Sequence, residues 1–404
     1  MKKFWLGLSA SVILLSSCST SAKQVDFIQD NIDNAVAQNN LQVEIIENSG
    51  KILNPRTIEK DGSTQYVPIE DWTSGFFPGS MWYMYELTDD NKWEGLAKKY
   101  TEDLDSVKNL KWHHDVGFMV YCSFGNGYRL TGSPEYKEVI IEAAKSLSTR
   151  FRPGAKVIQS WDADRGWQGK RGWKCPVIID NMMNLELLFE ATKLSGDSTF
   201  WNIAVDHANT TMAHHYRPDN SCYHVIDYDP ETGEVRHKQT AQGAGHESAW
   251  ARGQAWGLYG YTVCYRYTRD PKYLEMAEKI YDYMFKNPNM PEDLVPYWDF
   301  NYADYPEYIE KFGTPRDASA ASVSASALYE MSTYGKPQYK EVADKIMTNL
   351  GSPAYRAEVG TNNNFILMHS TGSIPHGQEV DVPLNYADYY FLEALVRKGN
   401  LENN

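Results

Sequence analysis

A short turn ending in an aromatic residue recurs five times along this chain, and that repetition restricts the possible folds more than any other feature. The turns run over 88–93, 131–136, 195–200, 268–273 and 334–339, and end at Trp93, Tyr136, Phe200, Tyr273 and Tyr339. Each is built from Gly, Asp, Ser or Pro. Each follows an apolar helical stretch and opens an amphipathic one. Asp or Ser can cap the incoming helix, and Pro suits its first turn, where a missing N–H matters least. In four of the five an alanine follows the aromatic four residues on (Ala97, Ala204, Ala277, Ala343), so both share one helical face; Ile140 takes that place in the second turn. The pattern predicts helices near 24–40, 75–88, 91–107, 115–131, 134–150, 180–195, 198–215, 249–268, 271–286, 317–333, 337–350 and 382–398. Strand-like alternation is scarce. The one patch, Cys222 to Tyr228, reads as a hairpin arm in a loop.

Helical hairpins repeating with a period above 40 residues form either a solenoid or a closed ring. The first helix of each pair is apolar nearly all round, as in 75–87, 116–130 and 250–267, and such a helix must be buried on every side. The second is amphipathic. An inner and an outer ring follow, and six pairs close into an all-α (α/α)6 barrel occupying 24–404 as a single domain. An open helical-repeat binding protein is the alternative. It is disfavoured because the long connections fall at one end only and hold the unusual residues.

Net charge is −14, which argues against nucleic acid or an acidic membrane surface as partner. An anionic small ligand remains compatible, since a pocket can be locally positive. The 12 Trp and 28 Tyr supply both core and, in loops, flat faces for sugar stacking. At the N-terminus, Lys2 and Lys3 precede an apolar run from Phe4 to Leu15 that is too short to span a bilayer. Leu15-Ser16-Ser17-Cys18 then reads as a lipoprotein box. The expectation is a signal peptide over 1–17, lipidation of Cys18, a short tether over 18–23 and a periplasm-facing, outer-membrane lipoprotein that touches the membrane only through its lipid. Cys122, Cys175, Cys222 and Cys264 show no disulfide framework. Oligomeric state is expected to be monomer or weak dimer.

The inner helices start at the end that carries the long connections, so their N-termini make one partly positive mouth suited to a carboxylate or sulfate. Asp115 and Asp180 each open an inner helix there, and paired carboxylates are the usual equipment for glycosidic cleavage. Both could equally be plain N-caps, and Asp317 and Asp381 obey the same positional rule. His113 and His114, or His207, His214 and His215, lack a metal-ligand spacing such as HExxH. Walker, Rossmann and GxSxG motifs are missing from the sequence, so neither metal nor cofactor is expected.

Several stretches in order resemble the unsaturated glucuronyl hydrolases of glycoside hydrolase family 88. These are Asp71-Trp-Thr-Ser-Gly-Phe-Phe-Pro-Gly79, His113-His-Asp-Val-Gly-Phe118, Ile178-Ile-Asp-Asn-Met-Met183, Ser248-Ala-Trp-Ala-Arg-Gly-Gln-Ala-Trp-Gly257, Glu379-Val-Asp-Val-Pro-Leu384 and Tyr386-Ala-Asp-Tyr-Tyr-Phe-Leu-Glu-Ala394. The resemblance covers residue 70 to the C-terminus. It implies an (α/α)6 barrel, Asp180 as general acid/base and Asp115 as its essential partner. It implies that Trp72, His114, His224, Gln242, Trp250, Arg252 and Trp256 line the sugar site, with Ser370 and Ser373 contacting substrate beyond the unsaturated ring. The implied substrate is a glycosaminoglycan fragment ending in a 4,5-unsaturated uronic acid. The implied chemistry is hydration of its C4=C5 vinyl ether, without cofactor.

Two departures stand out. Ala241 precedes Gln242 where some relatives have His. Ser370-Thr-Gly-Ser373-Ile-Pro375 lacks the lysine of relatives that favour 6-sulfated chondroitin units. Arg236, His237 and Lys238 are basic residues that could compensate, or could simply form a solvated loop. Two rival readings are an unsaturated rhamnogalacturonyl hydrolase acting on pectin or ulvan fragments, and a non-catalytic glycan-binding lipoprotein.

Overall fold

Six of the helices are buried on nearly all sides, and the chain is organised around them. The computed structural model describes residues 26–402, so the signal-peptide and Cys18 expectations lie outside the described residues. The inner ring comprises Phe76–Thr88, the Val116–Thr131 stretch, Leu185–Ser195, Ala251–Thr268, Ala318–Ser332 and Asn385–Glu402. The outer ring comprises Asn91–Asp103, Pro134–Ser148, Ser198–His214, Pro271–Phe285, Gln338–Leu350 and the N-terminal Phe27–Asn48. The last inner helix packs against the first, Asn385–Glu402 on Phe76–Thr88, which closes the ring. The expected (α/α)6 barrel is therefore the fold.

Local chemistry explains the hairpins. Asp90, Ser133, Asp197 and Asp270 accept backbone N–H bonds at the starts of outer helices, and Pro134 and Pro271 occupy first turns. Residues 251–264 are buried without a break, as are 76–84. In Ala318–Ser332 the small Ala and Ser side chains permit close packing, and Ser322 and Ser324 return their hydroxyls to the carbonyls of Ala318 and Ala320.

Four expectations need correction. The second inner helix is not continuous: a π turn, Tyr121–Gly125, separates Val116–Val120 from Asn126–Thr131. The third begins as a 3-10 segment, Ile179–Asn184, so Asp180 sits inside a tight turn rather than capping an α-helix. Strands are also more frequent than the alternation suggested: Cys175–Ile178, Val225–Tyr228 and Ser370–Ser373 are buried on both faces, and such short strands carry no period-2 signal. Val225–Tyr228 is the middle strand of an antiparallel sheet between Cys175–Ile178 and Val235–Gln239. Hairpins Asn54–Ile58/Thr64–Val67 and Ser370–Ser373/Gln378–Val382 belong to the same end of the barrel. Arg236 and His237 are not solvated loop residues: both turn onto the buried carboxylate of Asp227. The four cysteines of the barrel are buried free thiols.

Candidate active site

The three-stranded sheet delivers Asp180. Ile178 pairs with Val225, and the Ile179 N–H donates to the His224 carbonyl at 3.1 Å, so the strand end and the turn are tied to one register. Asp115 occupies the N-cap position of the second inner helix but makes no capping bond. Its Oδ1 instead accepts from Asn184 Nδ2 at 3.0 Å, while Asn184 Oδ1 accepts the Phe118 N–H at 3.1 Å. Gly117 makes that approach possible: a Cβ there would lie 2.4 Å from Asn184 Oδ1.

Both carboxylates open onto a cavity of about 320 Å³ at the mouth. Of the residues expected at the sugar site, Trp72, His114, Gln242, Arg252 and Ser373 line this cavity with them. His224, Trp250 and Trp256 stand behind that lining. His224 directs Nε2 at Asp180 Oδ2 from 3.6 Å, and its ring lies 4.7 Å from Trp250. Trp256 is fully buried against Phe118, and its indole N–H, which makes no hydrogen bond, lies beside the Asp180 carboxyl. Ser370 is a correction: it is buried on its strand and is not part of the cavity wall, because alternation along Ser370–Ser373 turns the two serines differently.

Sequence reasoning missed Arg56, Trp161, Trp167, His376, Glu379 and Tyr386 as lining residues, and all six face the cavity. Trp161 and Trp167 were reachable in principle as tryptophans in a loop. Arg56 carried no local signal, since its role depends on Asp71 and on Glu379, 323 residues away, which it bridges at 2.9 and 2.6 Å.

Electrostatics separate the ionisable groups. Burial, then the Asp115 charge, pushes the Asp180 carboxyl up to about 7, against the pull of Arg252. Burial likewise carries Asp115 up to about 6, opposed by His113 and Asn184. Burial drives His113 down to about 4 and His114 to about 3, so both imidazoles are neutral at physiological pH. Desolvation thus outweighs the favourable helix dipole. Arg252 is fully buried, donates to Asp317 Oδ2 at 2.8 Å and to the carbonyls of Thr371 and Gly372, and lies 4.5 Å from the Trp250 ring. Its Nε has no partner. A protonated carboxyl beside a fixed guanidinium, on a floor of aromatic rings, can bind an anionic sugar and pass it a proton.

His113, His114 and Asp115 bring three donor atoms within 4.8 Å of one another. The set is largely committed elsewhere: His113 Nδ1 accepts the Asp115 N–H, His114 Nδ1 bonds Asn181, and Asp115 Oδ1 bonds Asn184. A second cavity of about 420 Å³ lies at the opposite end of the barrel. Its charges, Glu186, Glu330 and Glu393 against Arg266 and Arg397, are paired with one another, as suits a structural network.

Residues 51–395 match the sequence profile of Glycosyl Hydrolase Family 88. An unsaturated glucuronyl hydrolase of Formosa agariphila is 51% identical over 337 residues, covering 83% of this chain and 82% of that protein. An unsaturated chondroitin disaccharide hydrolase of Streptococcus agalactiae is 32% identical over 404 residues, covering 88% and 96%. The crystal structure of an unsaturated glucuronyl hydrolase specific for heparin superposes with a TM-score of 0.87 at 44% identity, covering 94% of this chain and 98% of that one. A barrel with paired buried carboxylates at its mouth, matched along most of its length to these proteins, belongs to glycosyl hydrolase family 88 and is a glycosidase.

Proposed function

We propose that the enzyme removes a 4,5-unsaturated glucuronic acid from the non-reducing end of glycosaminoglycan-derived disaccharides and oligosaccharides. The observation that carries this reading is Asp180, a buried carboxyl lifted to about 7, facing the same small cavity as Arg252. Such a group holds its proton near neutrality, as a general acid requires. The names of the relatives, which act on unsaturated glucuronyl and chondroitin units, support the substrate class.

In the proposed reaction the substrate carboxylate lies near Arg252 and the ring stacks over Trp72. Asp180 gives its proton to C4, and positive charge develops at C5, stabilised by the ring oxygen. Water adds at C5 and returns a proton to Asp180. The resulting hemiketal opens, and the aglycone leaves. A carboxylate nucleophile is unnecessary. Asp115 is the partner that orients the sugar hydroxyls. His114, Gln242, His224, Trp250, Trp256 and Ser373 shape the subsite, and no cofactor takes part.

The missing lysine at Pro375 argues against a preference for 6-sulfated chondroitin units. The lipoprotein box at Cys18 supports a periplasmic enzyme held at the outer membrane by its lipid. The test is a panel of unsaturated disaccharides from chondroitin, hyaluronan and heparin, with and without sulfate. Loss of the double bond's ultraviolet absorbance is expected with wild type and not with Asp180→Asn. No loss on any member, with the protein folded, would redirect the reading to pectin or ulvan fragments.

A further inference from the structure

The two histidines that face the two carboxylates are locked in opposite tautomers. Asn181 is the key on one side. Its Nδ2 donates to the Ile158 carbonyl at 2.6 Å and to Ser160 Oγ at 3.0 Å, so its amide cannot be turned round without setting oxygen against oxygen. Asn181 Oδ1 therefore points at His114 Nδ1, 2.7 Å away, and can only accept. His114 must carry its hydrogen on Nδ1, which leaves Nε2 bare. That bare nitrogen lies 3.2 Å from Asp115 Oδ2. Two lone pairs cannot face each other at that distance in a buried site. Asp115 Oδ1 is no alternative outlet, since it already accepts from Asn184. On the other side, His224 Nδ1 accepts the N–H groups of both Ala241 and Gln242 at 3.1 Å. His224 must therefore carry its hydrogen on Nε2, the atom aimed at Asp180.

We propose that His114 is a positioning residue for Asp115: held as the Nδ1–H tautomer by Asn181, it presents a bare Nε2 and obliges the pair to keep one proton between Nε2 and Asp115 Oδ2 in the resting site. His224 makes the opposite presentation, an N–H, to Asp180. Burial of both partners places the shared proton on the carboxyl oxygen rather than on the imidazole, and the bare Nε2 holds it there beyond the pH of about 6 that burial and the other neighbours set for Asp115. The other charged or titratable groups facing the pair are His113 and Asp71, Arg150 from the outer-ring side, His207 beyond His114, and Asp180 across the cavity. The arrangement has a use, given the function proposed above, on which that use rests. Asp180 holds its own proton as the general acid, so an anionic uronate would meet like charge in the catalytic pair only from an ionised Asp115. A neutral Asp115 removes that charge and leaves a site in which Arg252 can govern the substrate's carboxylate.

The test needs no substrate for its first arm. Nitrogen-15 spectra of the full barrel labelled at histidine, assigned with His114→Gln and His224→Gln, are expected to show neutral His114 as the Nδ1–H tautomer and His224 as the Nε2–H tautomer between pH 5 and 8. In water the Nε2–H form is the favoured one, so finding it at His114, or finding His114 charged, overturns the proposal. The second arm is the pH profile of kcat/KM. His114→Ala lets Asp115 ionise, and because that charge raises the Asp180 carboxyl, it is expected to move the alkaline limb toward higher pH by about one pH unit while lowering kcat/KM. His114→Gln, whose amide oxygen can accept the same proton, is expected to keep the limb in place. A uniform loss across pH in His114→Ala would show a merely structural histidine and also refute the idea. Because the tautomers are read without turnover, failure of the substrate assignment and failure of this inference are separable.

Discussion

Replacing Asp180 by Asn is expected to stabilise the protein, and to do so more as pH rises. In the native state the Asp180 carboxyl is carried from an ordinary 3.8 to about 7, chiefly by burial. At about 1.4 kcal/mol per pH unit, that displacement is worth about 4 kcal/mol. The sign follows from proton counting. Between pH 4 and 7 the folded chain holds a proton that the unfolded chain has released, so stability falls as pH rises through this window and levels off above it. Asn is neutral throughout and escapes that loss. The advantage of Asp180→Asn over wild type should grow by roughly 3–4 kcal/mol between pH 4 and pH 8.5. For a chain of about 400 residues the unfolding entropy is about 0.8 kcal/mol/K, so the gain in Tm should widen by about 4–5 °C. Calorimetry of both proteins across pH reads it directly. Asp388, also buried and lifted to about 7, is common to both and cancels in the difference. A difference in Tm that stays constant or shrinks toward alkaline pH would refute the claim that Asp180 is a carboxyl kept neutral by burial.

Activity of the wild type should be highest at acidic to neutral pH and fall above about 7, because Asp180 must be protonated to act; a kcat/KM profile that stays high into strongly alkaline pH would count against it. Arg252→Met should lower kcat/KM sharply and destabilise by about 3–5 kcal/mol, since it strands the buried Asp317 carboxylate without its partner; urea unfolding and steady-state kinetics separate the two effects. Gly75→Ala should be strongly destabilising, because the added methyl would lie 2.3 Å from the Met119 carbonyl oxygen and 2.4 Å from that of Phe118, both backbone atoms with little freedom to withdraw. A Tm within about 2 °C of wild type would show that the two inner helices can separate there.

Much of the barrel was legible in the sequence because its signals are local. The capped turns at Asp90, Ser133, Asp197 and Asp270, and the mostly apolar pattern of Ala251–Thr268, are each contained within about twenty residues. They report helix boundaries and which helices are buried, and the inner-ring starts in turn pointed to Asp115 and Asp180. Sequence alone could not choose that pair over Asp317 and Asp381 without the family resemblance. The structure separates them by their surroundings: Asp317 is neutralised by Arg252 and caps its helix, and Asp381 pairs with His369 at the rim. Ser370 was misplaced because strand facing depends on a register that only the folded hairpin sets. The π turn at Tyr121 and the 3-10 turn at Asp180 left no mark in the apolar pattern, which tolerates both. What tertiary structure decided was protonation. Which carboxyl holds a proton, and which imidazole nitrogen carries a hydrogen, follows from Asn181, Asn184 and the backbone of 241–242 meeting residues far away in sequence. Burial and hydrogen bonding across such distances set these states, and neither is encoded in the spacing of nearby residues.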